Sequence, residues 1–114
     1  MHIDSYEFGE IVIDGVEYDS DCLITGNRIQ ANWRRKEGHL LTIEDLQDVI
    51  AAQPAVLVVG CGASSFMRVE AKTRQLLQQH NIQLESLDTY KAVERFNELK
   101  RTGVNVAAAL HLTC

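Results

Sequence analysis

The sequence predicts one α/β domain spanning residues 1–114, an N-terminal antiparallel β meander followed by α-β-α-β-α-β with parallel strands. Three observations carry that reading. Asp14-Gly15 and Gly26-Asn27 interrupt short alternating apolar runs in the first third of the chain. From Thr42 the apolar period changes to three and four. Two nearly continuous apolar runs, residues 55–59 and 104–110, then read as strands buried on both faces.

Each element has a local cause. Asp14-Gly15 is a dipeptide that a tight hairpin turn favours, because both central residues take positive φ, and it joins Glu10-Ile11-Val12-Ile13 to Val16-Glu17-Tyr18. Gly26-Asn27 repeats the device between residues 22–25 and 28–30. Asp4, Glu7 and Glu10 read as a solvated edge, and Asp14, Asp19 and Asp21 as turn chemistry. Residues 33–39 read as a loop. Thr42 is placed to cap a helix, with Asp45 echoing a capping box and Ile43, Leu46, Val49 and Ile50 on one face. Pro54 ends that helix, residues 55–59 form the first parallel strand, and residues 60–65 the loop after it. A second helix runs from Glu70 to Gln79 and stops at Asn81; residues 82–87 alternate as a half-buried strand. Thr89 is expected to cap a third helix, whose stripe is Tyr90, Val93, Phe96 and Leu99 and whose left-handed terminator is Gly103. Helices between strands require crossovers, so the three later strands should be parallel.

Composition narrows the function classes. Sixteen acidic against eleven basic residues leave a net charge of −5, which disfavours nucleic-acid binding. No apolar stretch is long and uninterrupted enough to span a bilayer, so no direct membrane insertion is expected. Cys22, Cys61 and Cys114 form no C-x-x-C pair, and the N-terminus carries no secretory signal, so reduced thiols in a cytoplasm are expected. His2, His39, His80 and His111 lack i, i+4 spacing, and neither a metal nor a cofactor is expected.

In an open α/β sheet, ligands sit beyond the carboxyl ends of the parallel strands. The topology therefore gathers Gly60, Cys61, Gly62, Ser64, Ser65, Asp88, Thr89, His111, Thr113 and Cys114 on one rim. As an anion cradle, the glycines would let backbone amides approach a phosphate or carboxylate, with Ser64 and Ser65 adding hydroxyls. The same glycines also suit a plain strand-to-helix turn, since the loop lacks both the third glycine of a dinucleotide fingerprint and the lysine of a Walker loop. As a nucleophile, Cys61 would need His111 as its base; otherwise the two are ordinary core residues. A second cluster joins Trp33, the only Trp, to Arg34, Arg35, Lys36 and His39. It reads either as a partner-recognition patch or as a loop whose Trp is half-buried over the sheet.

Residues along nearly the whole chain resemble the Mth-domain family. They are Tyr18-Asp19-Ser20-Asp21-Cys22, Trp33-Arg34 with Gly38-His39, Val58-Val59-Gly60-Cys61-Gly62, Tyr90-Lys91-Ala92-Val93 with Phe96-Asn97, and the C-terminal run from Gly103 to Cys114. The ending His111-Leu112-Thr113-Cys114 is similar to the adipogenesis-associated branch of that family, and more distantly the chain resembles the branch that assembles respiratory complex I. The resemblance implies a single α/β domain with a β-rich N-terminal portion and supplies no catalytic residue. The expected function is that of a noncatalytic protein-binding or assembly-factor-like protein with an unidentified protein partner. The alternative is a small-molecule or anion-binding protein, or a thiol-dependent enzyme, working at the rim around Cys61 and His111.

Overall fold

These periodicities resolve into ten strands and three α-helices arranged as three layers. The computed structural model describes residues 1–114. In chain order the elements are β1 (Ile3–Glu7), β2 (Glu10–Ile13), β3 (Val16–Tyr18), β4 (Cys22–Thr25), β5 (Arg28–Gln30), β6 (Leu40–Leu41), a 3-10 turn (Ile43–Leu46), α1 (Gln47–Ala52), β7 (Val56–Cys61), β8 (Arg68–Val69), α2 (Ala71–Gln79), β9 (Gln83–Leu87), α3 (Thr89–Arg101) and β10 (Val106–His111).

The middle layer is a five-stranded sheet of order β5-β4-β10-β7-β9. As expected, β7, β9 and β10 are parallel, and β4 pairs antiparallel with β10 and β5. Strand alternation sorts its side chains into two cores. Cys22, Ile24, Val56, Val58, Val106, Ala108 and Leu110 face α3 and the three-stranded sheet β1-β2-β3, where Phe96, Ile3, Ile11 and Ile13 are buried. Leu23, Leu57, Val59, Cys61, Ala107 and Ala109 face α1, α2 and the small parallel sheet β6-β8, against Leu46, Val49, Leu77 and Met67. Burial on both faces is why the runs in β7 and β10 are uniformly apolar.

The predicted meander is split. Its second hairpin, β4-β5, forms the antiparallel edge of the central sheet, whereas β2-β3 joins a separate sheet with β1. Strand β1 was not expected: Asp4, Glu7 and Glu10 are solvent-exposed, but they sit on β1 and β2, where Ile3, Tyr6, Ile11 and Ile13 are buried and a register shift between Ile3 and Ser5 breaks the alternation of β1. Asn97 of α3 holds β1 in place, donating through Nδ2 to the Ile3 carbonyl (2.8 Å) and accepting the Ile3 amide on Oδ1 (2.9 Å). The β6-β8 pair is likewise an addition, made of two residues per strand and too short to leave a period in sequence.

Several boundaries differ from expectation. The Asp45 carboxylate accepts the Thr42 amide at 3.0 Å, the return bond of a capping box, and also the Thr42 hydroxyl at 3.0 Å, but the first turn is a 3-10 turn before α1 begins. That helix ends at Ala52, ahead of Pro54, with Gln53 left-handed at φ 49°. Asn81 takes φ 59° and Gly103 φ 83°, as their helix-terminating roles require. Strand β7 continues through Gly60 and Cys61, which were expected in the following loop.

Thr89 does not cap α3. Asp88 does, accepting the Lys91 amide on Oδ1 at 3.0 Å, while Thr89 is buried and bonded elsewhere. Asp88→Ala is accordingly expected to lower stability by about 1 kcal/mol, measured by urea denaturation. A cost as small as that of an ordinary exposed substitution would mean that α3 is started by its packing alone.

Candidate functional site

The carboxyl end of the central sheet is closed by the chain's own last residues. Gly62 has φ 104°, and a Cβ there would lie 2.3 Å from the Cys114 carbonyl carbon. Around it, the Ala63 amide donates to Thr113 O (2.7 Å) and the Phe66 amide to Cys114 O (2.9 Å). The Gly62 amide donates to Thr89 Oγ1 (2.8 Å), and the Thr89 hydroxyl in turn donates to His111 O (2.6 Å). Gly60 makes room for the same Thr89 side chain, whose Oγ1 would stand 2.9 Å from a Cβ. Gly60, Gly62 and Thr89 thus come together as expected, but the Gly62, Ala63 and Phe66 amides are consumed by hydrogen bonds within the protein. These three donors are unavailable to an anion. Ser64 is exposed, and Ser65 stands at the mouth of a neighbouring cleft.

Cys61 and His111 are register partners on β7 and β10, so the rim does bring them side by side. No hydrogen bond joins them. Burial pushes the Cys61 thiol up, against a smaller opposing pull from Arg74, which leaves it protonated at neutral pH. His111 is engaged on its other side. Asp21 Oδ2 lies 2.9 Å from His111 Nδ1 and 2.8 Å from Arg35 Nη1, while Asp21 Oδ1 accepts the Leu112 amide at 2.8 Å. Arg35 Nη2 is also 3.1 Å from the same Nδ1. That nitrogen either donates to Asp21 or accepts from Arg35, so the two contacts require opposite tautomers. His111 Nε2 is buried without a hydrogen-bond partner.

This cluster corrects the reading of Asp21 as turn chemistry. Burial raises its carboxyl, but the bonds from His111, the Leu112 amide and Arg35 outweigh that and leave it below its ordinary value. The same cluster explains residues 33–39. Trp33 is buried, its Nε1 donating to Asp45 O at 3.1 Å, and Arg35 lies over the ring with its guanidinium carbon 5.0 Å from the centroid. The Arg35 side chain is 5% exposed. Trp33 and Arg35 are therefore structural pieces of this loop, and of the predicted recognition patch Arg34, Lys36 and His39 are exposed. His39 packs edge-on to His111 and to Phe66, with centroids 5.7 and 6.3 Å apart.

Two surface features of this end go beyond the predicted rim, although Cys61, Ser65 and Asp88 of that rim line the first. One is a cleft of about 500 Å³ beyond β7 and β9, whose charged lining is Arg68, Arg74, Asp88 and Lys91. The other is a set of exposed aromatics. Phe8 and Phe66 are each 61% exposed and Tyr90 49%. Phe8 precedes Gly9, whose amide donates to Leu112 O; the Phe66 amide donates to Cys114 O; Tyr90 packs edge-on to Tyr6, whose hydroxyl also donates to Leu112 O. All three surround the C-terminal tail. Tyr90 was expected on the buried stripe of α3, but it stands at the edge of that stripe and faces solvent.

Residues 3–111 match the family described as a protein of unknown function, DUF498/DUF598. The chain belongs to this family. Solved structures agree. A protein named MT938 is 25% identical over 99% of this chain and 98% of its own, with a TM-score of 0.83. An outer membrane protein from Bartonella henselae is 26% identical over 98% and 94%, also at 0.83. A Mth938-like domain from Bordetella pertussis is 19% identical over 97% and 85%, at 0.78. The Mth-domain resemblance read from the sequence is thus the family to which DUF498/DUF598 points, and its α/β architecture is this one. In this member, no helix is long and apolar enough to cross a membrane.

Proposed function

We propose that the chain is a noncatalytic protein-binding or assembly-factor-like protein whose working surface is the carboxyl-end rim of the central sheet. The observation that carries this reading is the placement of Phe8, Phe66 and Tyr90. A folded domain buries its large apolar side chains where it can, and aromatics are the residues that most often anchor partners. Of the large apolar side chains left exposed, only Val16 lies away from this end, at the far turn of β2 and β3. Support for a thiol-dependent reaction is weaker, because the Cys61 thiol is raised by burial and unpaired with His111. All three cysteines are free, which fits a reducing compartment such as the cytoplasm.

The test is affinity capture with the full chain, followed by binding of each purified candidate to wild type and to the double variant F8A/F66A. Both side chains are exposed, so thermal stability should stay within about 0.5 kcal/mol. Loss of two anchors should weaken the partner about tenfold or more. Equal binding by wild type and variant, or no partner that binds in purified form, overturns the reading.

A further inference from the structure

The cleft beyond β7 and β9 is independent of the aromatic rim in its chemistry, and its position follows from the topology. After β7 the chain crosses through α2 on the Leu57 and Val59 face to reach β9. It then leaves β9 through α3 on the opposite face, where Phe96 packs, and returns past β7 to β10. Helices departing to opposite faces open a crevice at the carboxyl ends of the strands between them, which is where open α/β sheets hold ligands.

The lining is selective. Arg68 lies on β8, Arg74 in the first turns of α2, and Lys91 in the first turn of α3. Against these three cations stands one carboxylate, Asp88, so the lining carries a formal charge of +2 in a chain of net −5. Neither guanidinium has a counter-ion: no carboxylate lies within 4.0 Å of Arg68 or Arg74, whereas Arg35, Arg95 and Lys91 each approach one. Arg74 Nη2 is 3.3 Å from the Ser86 hydroxyl, and Lys91 Nζ only approaches Asp88, at 3.9 Å. Ser65 supplies a second hydroxyl at the mouth, and beneath the polar groups lie Cys61, Met67, Val69 and Leu87.

We infer that this cleft is a binding site for a small phosphate monoester carrying a compact apolar body. A phosphate monoester has a charge of about −1.5 to −2 at neutral pH and three acceptor oxygens, which answers the +2 lining and its two free guanidiniums. A carboxylate brings a single negative charge and leaves half of the +2 lining uncompensated. The apolar floor gives the body of the ligand surface to cover, which inorganic phosphate does not have. A volume of about 500 Å³ is within the range of small-ligand pockets.

The experiment is calorimetric titration of the full chain with phenyl phosphate, inorganic phosphate, benzoate and phenol. Phenyl phosphate is expected to bind at one saturable site, more tightly than the other three probes. R68A and R74A should each weaken it about tenfold, the usual scale for a lost charge-assisted bond. Both side chains are exposed, and unchanged thermal unfolding will show that the variants remain folded. R74K, which keeps the charge but not the fork, should fall between R74A and wild type. Absence of saturable phenyl phosphate binding overturns the site, as does wild-type affinity in both R68A and R74A. Benzoate or inorganic phosphate binding as tightly as phenyl phosphate overturns the ligand class.

Discussion

Asp21→Ala should destabilise the fold by about 3 kcal/mol, toward the low end of what breaking a buried ion pair costs because the Asp21 side chain keeps 18% exposure. The carboxylate is the only partner shared by Arg35, His111 and the Leu112 amide, and removing it leaves a guanidinium that is 5% exposed without its counter-ion. Urea denaturation is the direct measurement, and a loss below about 1 kcal/mol would show that water replaces the carboxylate without penalty. The pH dependence supplies a second readout. Asp21 is ionised in the folded state at pH values where the unfolded carboxyl has begun to protonate, since its folded value is lowered. Its contribution is therefore complete above the ordinary carboxylate value of about 3.9 and is lost as pH falls through the folded value. Wild type should lose stability over that acid range more steeply than Asp21→Asn, which keeps the shape and removes the titration. Parallel acid limbs for the two proteins would refute the assignment.

Gly62→Ala should be comparably damaging, at roughly 2–6 kcal/mol, because two separate penalties meet at one atom. A φ of 104° is strained for any residue with a Cβ, and that Cβ would occupy the space of the Cys114 backbone at 2.3 Å and the Thr113 carbonyl oxygen at 2.7 Å. The protein has one cheaper response, which is to release the tail. Release would free the Ala63 and Phe66 amides, whose acceptors are Thr113 O and Cys114 O. Hydrogen exchange on a surviving folded population should therefore show those two amides exchanging faster than the β7 ladder beside them. Wild-type stability with wild-type protection of both amides would contradict the close approach. Phe8 and Phe66 are also attached to this tail through neighbouring backbone bonds, so the same variant should weaken any partner held by that rim.

Local chemistry was legible where cause and effect lie within a few residues. Asp14-Gly15 makes its hairpin and Asn81 and Gly103 turn the chain out of their helices because φ preference belongs to the residue itself. Thr42 and Asp45 satisfy each other across three positions. Asp88 and Thr89 show where this reasoning stops. Both side chains can cap α3, and the choice was made by Gly62 and His111, which draw the Thr89 hydroxyl into the core from 27 and 22 residues away. Trp33 illustrates the same limit. Its basic neighbours made it look like a recognition patch, yet Arg35 is turned inward by an aspartate 14 residues earlier.

The sequence by itself determined the types of those elements that carry an apolar period or a turn signal, the parallel relation of the three later strands and the two-sided burial of β7 and β10. These follow from backbone preference, apolar period and the handedness of crossovers, all of which act along the chain. Only the tertiary structure decided that β10 inserts between β4 and β7, and that insertion determined the rest. It carried His111 to an aspartate 90 residues away, laid the C-terminal tail over Gly62, and left Arg68, Arg74 and Lys91 facing one cleft with a single opposing carboxylate. A charge on a helix or strand looks the same in sequence whether it faces water or a cleft. Which it faces depends on the neighbours that packing brings, and packing is settled by how the whole chain buries its apolar surface rather than by any local stretch of it.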